Sequence, residues 1–404
     1  MGNAEPKRVL IVGCGFPQLG LLRAAKELGV WVLGVDANRS AIGAAACDDF
    51  REVSTHDVDS VVRVAREVQV DGITTCGSEL ALRTTVRAAA LLGLPFYGDE
   101  ATVDRCQAKD KMREAYRAGG APIPGFAVTT SFDEVEAFVF RSELPVVVKP
   151  SRGWGQRGVS KVENGSELRA AYDRARAASD DGVVLVEEFV EGDEFSVNAY
   201  THGAATTVCS VTERVITHYP DPPGITFAEW FPSGLDRARE AQAIEAALAG
   251  IAALGIRRGP TYTQLRLGPK GARIVETAYR LGGGLDPDVA LLGSGISLFR
   301  KILGVALGNV EWESVGRERA PHGGAIGKFL VGRPGRVVRI RGLDAARALP
   351  GVVGAEVYVS VGSTVFPLTD GSKRVGHVLA VGDGRDQANE RAARAAAEIR
   401  IETE

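Results

Sequence analysis

The segment PVVVKPSRGWGQRGVSKV, residues 145–162, contains the residue types that bind phosphate groups. An apolar run ends at Lys149, and the loop after it contains Ser151, Gly153, Gly155 and Gly158. Glycines let backbone N–H groups approach an anion closely, and the lysine and serine add charge and donors. The loop joins two predicted strands and lacks the GxxxxGK[ST] spacing of a Walker A loop. Taken alone, the segment indicates either a phosphate-binding hairpin or an ordinary Gly-rich hairpin.

The stretch VVLVEEFVEGDEFSV follows, and it combines acidic and apolar residues in a strand–turn–strand pattern. It contains Glu187, Glu188 and Glu194. An adenine ring needs an apolar slot with a backbone donor and acceptor nearby, and a ribose needs a carboxylate acceptor. By itself the stretch is more typical of a solvated acidic strand end.

A third stretch, TYTQLRLGPKGARIVETAYRLGGG, predicts a β-hairpin that presents Gln264 and Glu276 from adjacent strands. Mg²⁺ prefers oxygen ligands and bridges one or two protein groups to phosphates. Arg280 and the glycines at 282–284 follow, and they suit a second anion, either a substrate carboxylate or a transferring phosphoryl group. A purely structural hairpin with a Gly-rich turn remains the alternative for this stretch.

Two further segments contain candidate substrate-binding residues. Glu79 lies just beyond a predicted parallel strand, where open α/β sheets bind ligands, and it is a candidate for binding an amine. Alternatively, Ser78 caps a helix there and Glu79 stabilises its first turn. The stretch 211–234 contains Glu213, His218 and Glu229, and it is interpreted either as a loop lining a second-substrate pocket or as a long surface connection.

The first 100 residues alternate between short apolar runs and amphipathic helical patterns. RVLIVG, VWVLGVD and VDGITTC predict strands, and each precedes a predicted helix. Repeated βα units with short connections predict a parallel sheet with helices on both faces. The stretch 102–125 predicts one helix followed by a Pro/Gly-rich joint.

The remainder of the chain changes in character. An αβ module is predicted from about 126 to 190, and a β-rich segment with one embedded helix follows it. The tail from about 321 alternates short strands and turns, then ends in RDQANERAARAAAEIR. Acidic residues interleave with the arginines of that helix, which indicates an amphipathic cover on a sheet and not a nucleic-acid arm.

The opening segment GCGFPQLG invites an NAD assignment, with Asp36 as the ribose-binding acid. Its second and third glycines are separated by four residues, where GxGxxG has two. Pro17 and Gln18 also crowd the turn where a pyrophosphate would lie. We therefore interpret the segment as the first βα turn of a domain that faces a substrate pocket, with a helix N-terminus able to meet a substrate anion.

Composition excludes several classes of protein. The 404 residues carry a net charge of −3, which gives no reason to expect a nucleic acid or an anionic membrane as partner. No apolar stretch approaches the roughly 20 residues of a membrane span. The five cysteines include no CxxC pair and the five histidines no HxxxH pair, so neither a disulfide framework nor a zinc site is indicated. These features predict a cytoplasmic protein of several domains.

The order of the motifs resembles the ATP-grasp superfamily over nearly the whole chain, and in particular the branch of the carbamoyl-phosphate synthetase large subunit, biotin carboxylase and the L-amino-acid ligases. The resemblance implies an α/β ATP-grasp fold with an α+β lid, a Rossmann-like pre-ATP-grasp domain and a carboxylase-like C-terminal subdomain. The implied regions are a pre-ATP-grasp domain at 1–100, a helical linker at 101–125, the lid at 126–190, the large subdomain at 191–320 and the C-terminal domain at 321–404.

The resemblance also implies roles for individual residues. The ATP-binding set is Lys111, Lys149, Ser151, Gly153, Gly155, Gly158, Glu187, Glu188, Phe189, Val190 and Glu194. Gln264 and Glu276 match the metal ligands, for one or two Mg²⁺ or Mn²⁺ ions. The implied catalytic set is Lys149, Arg280, Gly283 and Gly284, and the candidate substrate-binding set is Glu79, Glu213, His218 and Arg280.

One departure from the family pattern concerns the metal. The family reads Glu-x-Asn-x-Arg, whereas this chain has Ala278 at the Asn position. The implied activity is an ATP-dependent carboxylate–amine ligase that forms an amide through an acylphosphate, with an amino acid as one substrate and a homodimer as the expected assembly. A bicarbonate-activating carboxylase and a non-catalytic ATP-binding relative remain the alternatives.

Overall fold

A computed structural model describes residues 5–153, 157–217 and 224–404. The first region forms a parallel sheet in the order β3-β2-β1-β4. Its elements are β1 (Arg8–Val12), α1 (Leu19–Glu27), β2 (Trp31–Asp36), β3 (Asp49–Glu52), α2 (Val58–Val68), β4 (Gly72–Thr74) and α3 (Glu79–Leu92). Val9 and Ile11 pack with α1, whereas Leu10 and Val12 pack with α2, so helices cover both faces. The predicted parallel sheet is confirmed, although β3 has no counterpart among the predicted strands.

Two helices stand where the sequence predicted one. They are α4 (Glu100–Gln107) and α5 (Lys109–Ala118). Ala108 between them has extended backbone angles, φ −91° and ψ 109°, and the N–H of Lys109 donates a hydrogen bond to the carbonyl of Ser151 at 3.0 Å. The prediction was wrong because this long-range hydrogen bond replaces a helical one, and α5 therefore begins at Lys109.

The lid region is an antiparallel sheet in the order β5-β8-β6-β7. Its elements are β5 (Phe126–Thr129), α6 (Phe132–Ser142), β6 (Val146–Pro150), β7 (Ser160–Val162), α7 (Leu168–Ala178) and β8 (Val184–Glu188). Val146 and Val148 of β6 pack against both helices. The predicted hairpin is confirmed because β6 and β7 pair directly, and the Gly-rich loop connects them.

The β-rich region begins with β9 (Asp193–His202), β10 (Ala205–Thr217), β11 (Ile225–Phe231), α8 (Arg237–Ala253), β12 (Arg258–Gly268) and β13 (Gly271–Ala278). Its strands lie in the order β13-β12-β9-β10-β11. Much of the stretch 211–234, interpreted as a loop, is strand, because β10 and β11 pair from Glu213 with Trp230 to Thr217 with Ile225.

The same sheet continues into the C-terminal region, since β11 pairs with β14. The remaining elements are α9 (Asp286–Ser294), α10 (Leu298–Ala306), α11 (Val310–Ser314), β14 (Gly324–Leu330), β15 (Gly335–Arg341), α12 (Leu343–Arg347), β16 (Val352–Val357), β17 (Thr364–Val365), β18 (Gly376–Gly382), α13 (Arg385–Glu398) and β19 (Arg400–Thr403). Strands β14, β18 and β16 extend the large sheet, and β17-β15-β19 form a small one. Ala388, Ala392 and Ala395 of α13 are buried against the large sheet, as the amphipathic pattern predicts.

In the described part of the chain, no single helix is long and apolar enough to cross a membrane. Helices α9 and α10 pass that test together, but they are bent by 109° at the break between them.

Candidate active site

A cavity of about 320 Å³ lies between the lid sheet, the start of α5 and the β12–β13 hairpin. Its size is within the range of small-molecule sites. The sequence-predicted residues that line it are Glu79, Lys149, Gly153, Glu187, Glu188, Phe189, Val190, Glu194, Gln264, Glu276 and Arg280. Segments that are up to 201 residues apart in sequence, from Glu79 to Arg280, therefore meet at one place.

Three charged side chains form a buried group on one wall. The Nε and Nη2 atoms of Arg113 donate to Oε2 of Glu187 at 3.0 and 2.8 Å, and Lys149 donates to Oε1. Burial alone would raise the pKa of Glu187, but Arg113 and Lys149 hold it below its usual value. Burial lowers the pKa of Lys149 despite the neighbouring carboxylate. Two cations and one anion leave this wall with a net positive charge.

Lys109, and not Lys111, lies at the cavity. The Nζ atom of Lys109 donates to the carbonyl of Gly153 at 2.7 Å, and the residue is part of the lining. Lys111 is half-exposed and forms an ion pair with Asp104. Residues two apart on a helix face in different directions, so only one of these lysines can point at the cavity. The sequence contained both lysines but gave no signal for where the helix begins.

Other predicted residues lie outside the described lining. Ser151 is buried, and its hydroxyl donates to Oδ1 of Asp110 at 2.6 Å. Gly158 has φ +74° and packs against Ala178, and Glu213 is paired with Arg385. Gly155 and His218 lie outside the described residues.

Glu194, the predicted ribose-binding acid, is held by two arginines that sequence reasoning missed. Arg266 donates to its Oε1 at 2.7 Å, and Arg214 donates to its Oε2 at 2.7 Å. Arg214 also reaches Oε1 of Gln264 at 3.0 Å and Oγ1 of Thr226 at 2.6 Å. Burial alone would lower the pKa of Arg214, but Tyr262 and Glu194 raise it, so the guanidinium stays charged.

The two predicted metal ligands lie opposite each other on β12 and β13, because Gln264 pairs with Glu276 in the strand register. Both side chains line the cavity, and so does Ala278. Across the described ranges the carboxylate of Glu276 makes no hydrogen bond or ion pair, and no group of three or more His, Cys, Asp or Glu residues could hold a metal. Glu276 therefore fits a hard divalent cation, whereas the amide oxygen of Gln264 already accepts from Arg214.

Arg280 and Glu79 form an ion pair at the same cavity, with Nη2 and Oε1 separated by 2.7 Å. The Nε atom of Arg280 and the Oε2 atom of Glu79 are buried without hydrogen-bond partners in the described structure. Ser78 also caps α3 by accepting from the N–H of Ala81 at 3.3 Å. Ser78 therefore caps α3 as the alternative interpretation predicts, and the binding of an amine by Glu79 stays a prediction.

The glycines after Arg280 allow close backbone approaches. A Cβ atom on Gly283 would lie 2.7 Å from the carbonyl oxygen of Gly77, and one on Gly284 would lie 2.4 Å from Oε1 of Glu229. Glu229 is buried, and burial together with Asp286 raises its pKa well above the usual value. Neither Gly283 nor Gly284 lines the cavity, but within the described ranges neither N–H group donates a hydrogen bond.

The first βα turn lies outside the cavity and is filled by protein. Gly13 has φ +93°, and the N–H of Cys14 donates to Oδ2 of Asp36 at 2.9 Å. Gln18 accepts from the N–H of Gly15 at 3.0 Å and donates to the carbonyl of Cys76 at 2.5 Å. The side chain of Gln18 therefore fills the space beside Gly13 and Gly15.

Two regions of this chain match known domain families. Residues 142–288 match the model "ATP-grasp domain", and residues 328–404 match "L-amino acid ligase C-terminal domain 2". Residues 142–288 therefore form an ATP-grasp domain, and the C-terminal region is similar to that of the L-amino acid ligases.

Two relatives and one solved structure that this chain resembles share less than a third of its residues in the aligned regions. The chain is 28% identical over 356 residues to the uncharacterized protein y4rH of Sinorhizobium fredii, covering 86% of this chain and 72% of the relative. It is 28% identical to D-alanine–D-alanine ligase B of Chromobacterium violaceum over 64% of this chain and 78% of the relative. The solved structure of L-amino acid ligase from Bacillus licheniformis superposes over all of both chains with a TM-score of 0.81 and 22% identity, which shows a shared fold.

Proposed function

We propose that this chain is an ADP-forming ligase that joins a carboxylate to an amine, with an amino acid as one substrate. In the proposed reaction the carboxylate oxygen attacks the γ-phosphorus of ATP, so that an acylphosphate forms and ADP leaves. The amine nitrogen then attacks the acyl carbon, phosphate leaves, and the nitrogen loses a proton. One observation carries the proposal: the positively charged wall that contains Lys149 and the Arg280–Glu79 ion pair belong to the same cavity.

The wall of the cavity supports ATP as the phosphoryl donor. Lys109, Lys149 and Arg157 line it and supply positive charge, and Glu194 supplies a carboxylate that suits ribose hydroxyls. Phosphoryl transfer requires mainly positioning and charge stabilisation, with little covalent work by the protein. Gly153 and Val159, at the two ends of the β6–β7 loop, line the cavity beside these cations, and we assign to the loop the exclusion of water that would hydrolyse an acylphosphate.

Glu276 is the residue proposed to hold a divalent cation, Mg²⁺ or Mn²⁺. When bound, the ion would offset negative charge on the phosphates. The fit rests on a carboxylate that faces the cavity and makes no hydrogen bond or ion pair in the described ranges.

The Arg280–Glu79 pair supports an amino acid as a substrate. A zwitterion presents a carboxylate that can pair with Arg280 and an ammonium that can pair with Glu79. The Nε atom of Arg280 and the Oε2 atom of Glu79 lack hydrogen-bond partners among the described residues, so both residues have hydrogen-bonding capacity for such a ligand. Arg280, which lines the cavity, is proposed to stabilise the developing oxyanion.

A screen of phosphate release tests the proposal. Purified protein is supplied with ATP, Mg²⁺ and pairs of amino acids, and the product is weighed by mass spectrometry. We expect release that depends on both amino acids and a product with their summed mass less one water. Release that depends on bicarbonate would instead favour the carboxylase alternative, and no release with any acceptor would favour the non-catalytic one.

The predicted homodimer and the cytoplasmic location remain proposals as well. Sedimentation analysis of the purified chain tests the first. A single species with the mass of one chain at micromolar concentration would contradict it.

A further inference from the structure

Three ligand positions of the family pattern lie on the β12–β13 hairpin, and this chain uses them unequally. Ala278 offers a methyl group, which cannot bind a cation. Glu276 offers a carboxylate without a protein partner in the described ranges, and Gln264 offers an amide oxygen. The state of that amide oxygen therefore decides how many metal ions the hairpin can hold.

Arg214 determines the state of the Gln264 amide. One of its terminal nitrogens, Nη1, donates to Oε1 of Gln264 at 3.0 Å and to Oε2 of Glu194 at 2.7 Å. An arginine only donates hydrogen bonds, so it fixes the oxygen of the amide, and not its nitrogen, on this side. The side chain is 11% exposed and is anchored by Thr226 on β11, so it cannot swing away without losing several buried contacts.

A divalent ion on Gln264 would therefore lie beside a permanent positive charge. With a metal–oxygen distance of about 2.1 Å, such an ion would be at most about 5 Å from Nη1 of Arg214. At that distance in a partly buried site, the repulsion between the two cations is strong. Glu276 lies across the hairpin and is not contacted by Arg214.

We propose that Arg214 takes the place of one metal ion, so that the nucleotide complex of this chain binds a single divalent cation, on Glu276. The inference rests on the proposed function, because it assumes that ATP occupies the cavity. Arg214 lines that cavity, and its Nε is buried without a partner in the part of the chain that the structure describes, which leaves a donor that can face a phosphate oxygen. The guanidinium then supplies the positive charge that a second ion would otherwise bring.

Counting bound Mn²⁺ tests the proposal without any turnover. The full chain is titrated with Mn²⁺ in the presence of a non-hydrolysable ATP analogue, and free Mn²⁺ is read by electron paramagnetic resonance. We expect one Mn²⁺ per bound analogue for the wild type. We expect two for the double variant Arg214→Met/Gln264→Glu, which removes the cation and supplies a carboxylate.

Two single variants serve as matched controls. Arg266→Met removes the other arginine on Glu194 without touching Gln264, and Arg214→Lys keeps the charge, so both should still bind one Mn²⁺. Arg214→Met alone should lower the affinity for the analogue roughly tenfold to a hundredfold, as loss of a charged hydrogen bond does.

Two Mn²⁺ per analogue in the wild type would overturn the inference, and so would a folded double variant that still binds one. The wild-type count needs no variant, so it decides the matter even if the double variant fails to fold. If the analogue does not bind at all, the proposed function fails. If it binds with two ions, only this inference fails.

Discussion

Two glycine-rich segments of this molecule each follow a buried strand, and they end up in opposite states. After β1, the turn from Gly13 to Gln18 is closed by the side chain of Gln18, which hydrogen-bonds to backbone groups on both sides. After β6, the loop that contains Gly153 opens on the cavity, and Lys149 and Lys109 lie beside it. Each segment contains a glycine with a positive φ angle, +93° at Gly13 and +74° at Gly158.

The difference lies in what occupies the space next to the glycines. A Cβ atom on Gly13 would lie 3.2 Å from the Gln18 side chain, so this side chain fills the space beside the glycine. Phe16 from the same turn stacks on Tyr358 with ring centroids 4.9 Å apart, which fastens the turn to the C-terminal region. Glycine spacing therefore indicates only that the backbone can approach an anion, and neighbouring side chains decide whether one binds.

Among the residues at the cavity, we expect substitution of Glu276 to lower activity the most. Replacing Glu276 with Ala removes the proposed metal ligand, so we expect phosphate release to fall roughly 10²- to 10³-fold, the range for loss of one stabilising group. Steady-state phosphate release measures the effect. Glu136→Ala, on the exposed face of α6, is the matched control, and an equal loss in both variants would indicate damage to the fold.

The two lysines at the start of α5 should differ in their effect on nucleotide binding at the cavity. Lys109→Met should lower nucleotide affinity about tenfold, because a charged hydrogen-bond donor leaves the cavity. Lys111→Met should change that affinity less than about twofold, since the pair with Asp104 is half-exposed. Calorimetric titration with ADP measures both. The reverse order of effects would contradict the placement of Lys109.

Substitution in the turn after β1 should lower the stability of the protein and leave nucleotide binding unchanged. Gln18→Ala leaves the carbonyl of Cys76 and the N–H of Gly15 without their partners, so we expect a loss of about 1–3 kcal/mol in the free energy of unfolding. Urea unfolding measures it. Nucleotide affinity should stay at the wild-type value, and a large fall in affinity would mean that this turn takes part in binding.

The contact between Tyr358 and His377 predicts that the stability of the protein depends on pH. The Nδ1 atom of His377 lies 2.6 Å from the hydroxyl of Tyr358, and burial, helped by Arg23, lowers the pKa of His377 to about 3. An unfolded histidine titrates near pH 6.5. Because the fold favours the neutral imidazole, His377 contributes its full stabilisation above pH 6.5. The free energy of unfolding falls as the pH drops below that value, by about 1.4 kcal/mol per pH unit.

Urea unfolding at pH 7 and pH 5 tests this dependence. Between those values His377→Gln should remove about 2 kcal/mol of the pH-dependent loss. An unchanged pH profile in the variant would show that His377 is not the group responsible.

Much of the framework was predictable because it depends on local periodicity. The parallel first sheet, the β6–β7 hairpin and the pairing of Gln264 with Glu276 all follow from apolar runs and turn residues that are close in sequence. The cavity lining was largely predictable as well, but only through the order of several motifs that are individually weak.

The missed features depend on contacts between distant segments. Helix α5 begins at Lys109 because of a hydrogen bond to Ser151, 42 residues further along the chain. Arg113 and Arg214 look like ordinary helix and strand residues, and only the fold brings them to Glu187 and Gln264. Strand β11 was interpreted as loop because prolines surround it.

Nucleotide titration of three proteins tests the central claim most directly. Wild type, Lys149→Met and Gln18→Ala are each titrated with a non-hydrolysable ATP analogue and with NAD. The account predicts that the wild type and Gln18→Ala bind the ATP analogue equally, that Lys149→Met binds it at least tenfold more weakly, and that none binds NAD. Binding of NAD to the wild type, or loss of ATP-analogue binding in Gln18→Ala but not in Lys149→Met, would contradict it.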